Sequence, residues 1–418
     1  MNDFLLCYKI LSNIYKEQAF SSIELNNQIC NAENKEFVTK VVYGVLDKNV
    51  ELDYYIEQLC KTKPQNAIII LLKIAFYTIL HLQAMPDYAV VNNIVEITKS
   101  IGKGAVAGFV NATCKKLLTT KIQLPTEKIK RLSIMSSKPF WLCEEYLKQY
   151  SEEQANQLLF TEPFGLEHIR LNYLLISALE FENLMQTQNF TFIKSDFGYY
   201  VKNNQFLQQL YRQGKIAFQS YSSVKVVECL ACKPNSKVLD LCSAPGGKAI
   251  CIAQTYKNVD VTACDLYPHR VELINSYAQT MQVNITTMVN DATVLNEHFF
   301  NVYDYVLCDM PCSGLGIVSK KADILLNKSM EDIYNLSKLQ YSILVCASKY
   351  VRDGGVLVYS TCTTLKQENL NVINKFLSKN DNFTLEKLPI KEANEGFLQL
   401  IANKGVDGFF MARLRRIK

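Results

Sequence analysis

Two cysteines in this chain each sit just past a short β-branched run. Asp309-Met310-Pro311-Cys312-Ser313-Gly314 continues from YVLCD, and Ser360-Thr361-Cys362-Thr363 closes GVLVYST. A third run, KVLDL, leads into Cys242-Ser243-Ala244-Pro245-Gly246-Gly247-Lys248. Glycines at a strand-to-helix turn let the backbone approach a ligand at a helix N-terminus. This loop has neither the GxGxxG spacing of a dinucleotide binder nor the GK[ST] ending of a phosphate loop. Two further runs, VTACD and TTMVN, end at Asp265 and at Asn290-Asp291. Asp265 lies 19 residues after Gly246, a spacing that suits a ribose with free hydroxyls. Each acid alone could be a helix cap. Together they favour a neutral or cationic nucleoside without phosphates, and S-adenosylmethionine is the obvious candidate.

Most cysteines are inert core residues. Two of them at adjacent strand ends beside a cofactor loop point to nucleophilic chemistry instead. Pyrimidine C5 is too weak a nucleophile to take a methyl group directly. Thiolate addition at C6 makes C5 enamine-like, and the adduct resolves after methyl transfer. Spacing does not say which cysteine adds.

The elements that must position these residues follow from pattern. From residue 231 to 418, short strands alternate with loops and helical stretches, which predicts an α/β, Rossmann-like parallel sheet with its ligands at the carboxyl ends of the strands. Residues 1–122 repeat apolar positions at three and four, as in Phe37, Val41, Val42, Val45 and Leu46, and read as an all-α domain. Pro125 and TEKIK mark a linker, and 126–230 reads as a small α+β region. It has a helix over Phe140 to Leu159 and strands in IRLNYLL and FTFIKSDFGYYV. The glycines of IGKGAVAGF suit a turn and close helix packing.

At 418 residues the chain is long enough for two or three domains at roughly 150 each. Hydrophobic residues at 49% and charged residues at 20% exclude disorder, and low glycine and proline exclude low-complexity classes. A net charge of +5 is compatible with a nucleic-acid partner without arguing one. Fourteen cysteines lack the dense spacing of a disulfide scaffold, so reduced thiols and a cytoplasmic setting are expected. The N-terminal segment reads as an amphipathic helix, and Ala67 to Leu82, with Lys73 at its centre, as a buried helix too short to span a membrane. No metal is expected: Cys229-Leu-Ala-Cys232 is a lone CxxC, and His81, His168, His269 and His298 are scattered.

LDLCSAPGGK, DMPCSGLG, STC and the terminal DGFFMARLRR resemble the RNA (cytosine-5)-methyltransferase family. VYGVLDKNVELDYYI, MPDYAVVN and GFVNA are similar to the NusB-like RNA-binding module. The two joined resemble the bacterial 16S rRNA (cytosine-5)-methyltransferase B family, over nearly the whole chain. That resemblance implies methylation of C5 of a cytidine in 16S ribosomal RNA by a monomer, with a NusB-like domain at 1–122. Cys242, Ser243, Ala244, Pro245, Gly246, Gly247 and Lys248 would cradle the methionine part of S-adenosylmethionine. Asp265 would hold the ribose, Asp291 would lie near the adenine, and Asp309 would sit between cofactor and base. Cys362 matches the nucleophile and Cys312 the cysteine that helps release product.

The chain departs from that family at Met310, a usual Ala, at Ser220-Tyr221 within a usual QDxxS pattern, at Lys138, a common His, and at Ala322, a common Pro. Lys320, Lys321, Arg413, Arg415 and Arg416 are candidate phosphate contacts, with solvated surface charge as the alternative. A non-catalytic RNA-binding or assembly factor with a vestigial methyltransferase fold is the competing function. An amino-group methyltransferase would want a [DN]PP[FYW]-like motif where DMPC stands.

Overall fold

A computed structural model describes residues 2–17, 21–391 and 395–417. It divides into two compact units, one of Met1–Ala155 with Val318–Lys328 and one of Asn156–Ile317 with Ser329–Lys418.

The first unit is helical. Helices Asp3–Glu17, Lys35–Asp47, Asn66–Tyr77 and Asp87–Thr98 bury their apolar stripes in one core, with Leu6, Ile10, Val41, Val45, Leu71 and Ile94 fully enclosed. Asn34 caps Lys35–Asp47 by accepting the Phe37 N–H at 3.0 Å. Asn66–Tyr77 is the apolar helix expected from the sequence. Its Lys73 is enclosed and ion-paired to Asp53 at 2.8 Å, as a buried ammonium requires.

This unit extends past the boundary expected at residue 122. Ser137 Oγ accepts the Val50 and Glu51 N–H groups at the start of Asn49–Leu59, and Lys138 pairs with Asp47 at 3.1 Å. The lysine standing for a histidine therefore has a structural use. Segment 318–328, which follows the Cys312 loop in sequence, also belongs to the helical unit. Its Ala322 and Leu326 pack on the helical core, and Asp323 accepts the Ser21 N–H at 3.1 Å. Lys320 and Lys321 are exposed on this segment.

The second unit begins with a four-stranded antiparallel sheet of β1 (Glu167–Leu171), β2 (Phe192–Ser195), β3 (Gly198–Val201) and β4 (Ile216–Phe218), ordered β2-β3-β1-β4. The SDFG turn joins β2 to β3, as its glycine and aspartate suggested. The helix expected over Phe140 to Leu159 is two, Phe140–Gln149 and Glu152–Leu159.

The larger sheet contains β5 (Lys237–Asp240), β6 (Asp260–Asp265), β7 (Thr286–Val289), β8 (Tyr303–Asp309), β9 (Val351–Thr361), β10 (Phe383–Leu385), β11 (Phe397–Leu400) and β12 (Phe409–Arg416). Its order is β10-β12-β9-β8-β5-β6-β7, with β11 on β12. Strands β5 to β9 are parallel, whereas β12 is antiparallel to β9. Chain order reverses between β5 and β8, so the two loops that follow these strands diverge there and leave a crevice at their carboxyl ends.

Ser220 caps helix Tyr221–Leu230 by accepting the Ser223 N–H, a task the missing Asp would also perform. The far end of that helix explains Arg413, whose guanidinium donates to the Cys229 and Leu230 carbonyls and pairs with Glu386. Arg415 also pairs with Glu386, and Arg416 with Asp353. The three arginines offered as candidate phosphate contacts are each engaged by a carboxylate within the fold, Arg413 and Arg415 sharing Glu386. Among the described residues no helix is long and apolar enough to cross a membrane.

Candidate active site

The loop after β5 turns on Gly246, whose φ of +103° is open to glycine and strained for other residues. A Cβ there would press on Ile274 at 3.1 Å, whereas one on Gly247 would meet nothing nearer than Gln219 at 3.8 Å. Helix Gly247–Thr255 starts at this point and presents its first N–H groups to the crevice.

Asp265, at the end of β6, accepts the Ala244 N–H at 3.2 Å and pairs with Arg270 at 3.2 Å. Arg270 also donates to the Ala244 carbonyl. The acid expected at a ribose thus braces the glycine loop, with lone pairs left for hydroxyl donors. Asp291 is exposed and accepts the Thr293 N–H and hydroxyl at 2.9 and 2.6 Å, bonds that hold its carboxyl below the usual range. Leu266, Val289, Val294 and Leu295 stand exposed beside these strand ends, an apolar lining suited to a flat heterocycle.

Asp309, at the end of β8, accepts Lys248 Nζ at 2.6 Å and the Ser360 hydroxyl at 2.7 Å. Burial pulls the Lys248 pKa down, but Asp309, Asp240 and Cys362 outweigh it, and the ammonium titrates above its usual range. The Met310 N–H bonds the Ser360 carbonyl, and Met310 is buried in the sheet core, where its bulk packs without disturbing the acid. Past it, Cys312 Sγ lies 3.2 Å from Cys362 Sγ, and both side chains are partly buried. Gly316 lets the loop lie directly on the chain: its N–H bonds the Cys362 carbonyl at 2.9 Å, and a Cβ would strike the Gly408 carbonyl at 1.8 Å. Cys312 is pushed well up by its hydrogen bond with Cys362, by burial, and by the charges of Cys362, Glu368 and Asp309.

Every residue expected at the site lies on the carboxyl ends of β5, β6, β7, β8 and β9, in the loops directly after them, or, for Gly247 and Lys248, in the first turn of helix Gly247–Thr255. Sequence reasoning missed Asp240, the last residue of β5, because KVLDL reads as an ordinary buried strand. Asp240 is fully buried, and neither carboxylate oxygen completes a hydrogen bond of normal geometry. Ser243 Oγ faces Asp240, and Asn290 Nδ2 is buried and unsatisfied. Buried polar groups short of well-formed hydrogen bonds are rare in folded chains, and these around one crevice favour a polar ligand. An ammonium or sulfonium group and a nucleoside fit this donor set: two anions, a hydroxyl, a carboxamide and an apolar slot. It offers no cluster of cations for phosphate. Ser360 and Arg270 were also missed, since only the fold brings them to Asp309 and to the glycine loop.

Burial, with the Asp309 charge, pushes the Asp240 carboxyl up to about 7, against the pull of Lys248. The unfolded chain releases that proton near 3.8. Stability from this group is therefore complete below the unfolded value and is lost as pH rises through about 7. At about 1.4 kcal/mol per unit, the loss is bounded near 4 kcal/mol. Asp240→Asn is expected to remove this slope. Without ligand, its thermal midpoint should gain on the parent by several degrees between about pH 5 and about pH 8. Parallel midpoint curves would contradict the burial of an ionisable Asp240.

The family model described as 16S rRNA methyltransferase RsmB/F matches residues 227–415, and the NusB family model matches residues 5–118. The probable ribosomal RNA small subunit methyltransferase B of Bacillus subtilis is 31% identical, over 98% of each chain. The ribosomal RNA small subunit methyltransferase B of Xanthomonas campestris is 24% identical, over 98% of this chain and 96% of that one. The crystal structure of PH0851 superposes with a TM-score of 0.83 at 23% identity, covering 99% of this chain and 97% of that one. The structure of NSun6 from Pyrococcus horikoshii with SFG reaches a TM-score of 0.61 at 20% identity, covering 67% and 98%. Both superpositions establish the fold.

Proposed function

The chain belongs to the 16S rRNA methyltransferase RsmB/F family, and from that premise we propose that it methylates C5 of a cytidine in 16S ribosomal RNA through a covalent bond between Cys362 and C6. The single observation that carries this reading is the pair of thiols 3.2 Å apart, one after β8 and one after β9, beside the Lys248–Asp309 ion pair. S-adenosylmethionine would supply the electrophilic methyl group. Asp240, Ser243, Lys248 and Asp265 would hold it in the loop after β5, with Asn290 and Asp291 toward the adenine.

The base must leave the RNA stack to enter the crevice. Cys362 as thiolate adds to C6, and the electron density moves onto C5. Asp309, fixed by Lys248 and Ser360, would bond the polar edge of the base. After methylation the C5 proton leaves, its electron pair restores the C5–C6 double bond, and the C6–sulfur bond breaks. Cys312 first gives up its own proton to solvent, and its thiolate then takes the C5 proton, a transfer that its raised proton affinity favours over attack.

The test uses Gly247, where a side chain fits the fold but fills the ligand space. Gly247→Val is expected to keep the parent's thermal midpoint and to lose both S-adenosylmethionine binding by calorimetry and methyl transfer to 16S RNA. Gly246→Val is the poorer test, because positive φ and the Ile274 contact strain the fold itself. Unchanged affinity in folded Gly247→Val would remove the loop after β5 from the cofactor site.

A further inference from the structure

One carboxylate lies beneath both cysteine loops. Glu368 is fully buried, six residues after Cys362. It accepts the Ser313 N–H at 2.8 Å and hydroxyl at 2.5 Å, Gln340 Nε2 at 3.0 Å and the Thr363 hydroxyl at 3.1 Å. Ser313 follows Cys312 and Thr363 follows Cys362, so one side chain joins the residues next to both thiols. The Ser313 and Thr363 hydroxyls also lie 2.8 Å apart. Four neutral donors match the lone pairs of one carboxylate, and a carboxamide there would turn its NH₂ toward donors.

The two loops do not depend on Glu368 equally. The Cys362 loop continues from β9 inside the sheet, and Asn369 holds it separately through Thr361 at 2.6 Å and the Thr363 carbonyl at 3.1 Å. The Cys312 loop lies beyond the end of β8. Beyond Gly316, the thiol contact and the Ser313–Thr363 hydroxyl contact that Glu368 itself braces, it is held by Glu368 at Ser313 and by Gln340, which donates to the Pro311 carbonyl at 2.9 Å and is itself held by Glu368. Removing Glu368 therefore loosens Cys312 more than Cys362.

We propose that Glu368 is a positioning residue that locks the Cys312 loop against the Cys362 loop and so governs product release more than attack. This rests on the function proposed above. Its charge also faces Cys312 and favours the protonated thiol there.

The test uses the full chain with Glu368→Gln and Glu368→Ala, the glutamine variant carrying it should the alanine variant not fold. Both should bind S-adenosylmethionine within about twofold of the parent, since no Glu368 partner lies in the loop after β5. Steady-state turnover should fall about ten- to hundredfold while single-turnover methyl transfer stays near the parent rate. Protein–RNA adduct should accumulate on ordinary cytidine RNA. Diamide, which oxidises two neighbouring thiols to a disulfide, should join Cys312 to Cys362 at least about tenfold more slowly than in the parent.

Variants that turn over and cross-link at the parent rate would overturn the proposal. So would equal losses in single-turnover transfer and steady-state turnover with no adduct, the pattern of a merely structural residue. If the parent itself neither methylates RNA nor forms adduct, the proposed function fails instead. The diamide rate then still decides whether Glu368 sets the thiol spacing.

Discussion

Cys362→Ala is expected to abolish turnover and to form no adduct with RNA carrying 5-fluorocytidine at the target. Fluorine at C5 cannot leave as a cation, so a competent enzyme stalls as a protein–RNA adduct that survives a denaturing gel. Cys312→Ala should behave in the opposite sense: it attacks, transfers methyl, and then accumulates adduct even on ordinary cytidine RNA, because the C5 proton has no acceptor. The geometry supports this assignment through charge. Cys312 faces Glu368 and Asp309, whereas Lys248 lies on the Cys362 side of the pair. The charges of Glu368 and Asp309 therefore favour the protonated thiol at Cys312, which suits it less to attack. Adduct with Cys362→Ala and none with Cys312→Ala would mean that attack comes from the cysteine after β8.

The second large effect is expected at the ion pair beside the thiols. Asp309→Asn removes the anion that Lys248 and Ser360 hold in place, and kcat should fall about 10²–10³-fold, the scale of losing a preorganised polar group at a reacting centre. Lys248→Met leaves the buried Asp240 beside the Asp309 charge without the cation that offsets it. Asp240 then holds its proton more firmly, Asp309 loses its ion pair, and the cost should be similar. The two changes act on one unit. Combined, they should cost much less than the sum of the single losses in a double-mutant cycle. Strict additivity would show that the pair is not coupled in catalysis.

The strand ends were legible in the sequence because period and punctuation survive folding: short β-branched runs followed by Gly, Asp or Pro-Cys mark the ligand edge of a parallel sheet. What pairs with what across the crevice was not. The run KVLDL shows that Asp240 is in a strand, and only the fold shows both its oxygens buried without a well-formed hydrogen bond. Glu368 sits in a polar stretch that looks solvated, yet it meets Ser313 from 55 residues away. The terminal arginines look like a basic tail, and only β12 lying against helix Tyr221–Leu230 and Glu386 shows Arg413 and Arg415 engaged within the fold. The extent of the helical unit was hidden for a related reason. Segment 318–328 follows the Cys312 loop in sequence, but its apolar Ala322 and Leu326 find their partners on the helices of the first unit.

The most direct measurement is nucleoside mass spectrometry of 16S RNA after incubation with the parent protein and S-adenosylmethionine labelled in its methyl group. The expected result is label in 5-methylcytidine, lost with Cys362→Ala. Label on the exocyclic nitrogen of cytidine, or label in 5-methylcytidine undiminished by Cys362→Ala, would contradict attack at C6 by that thiol.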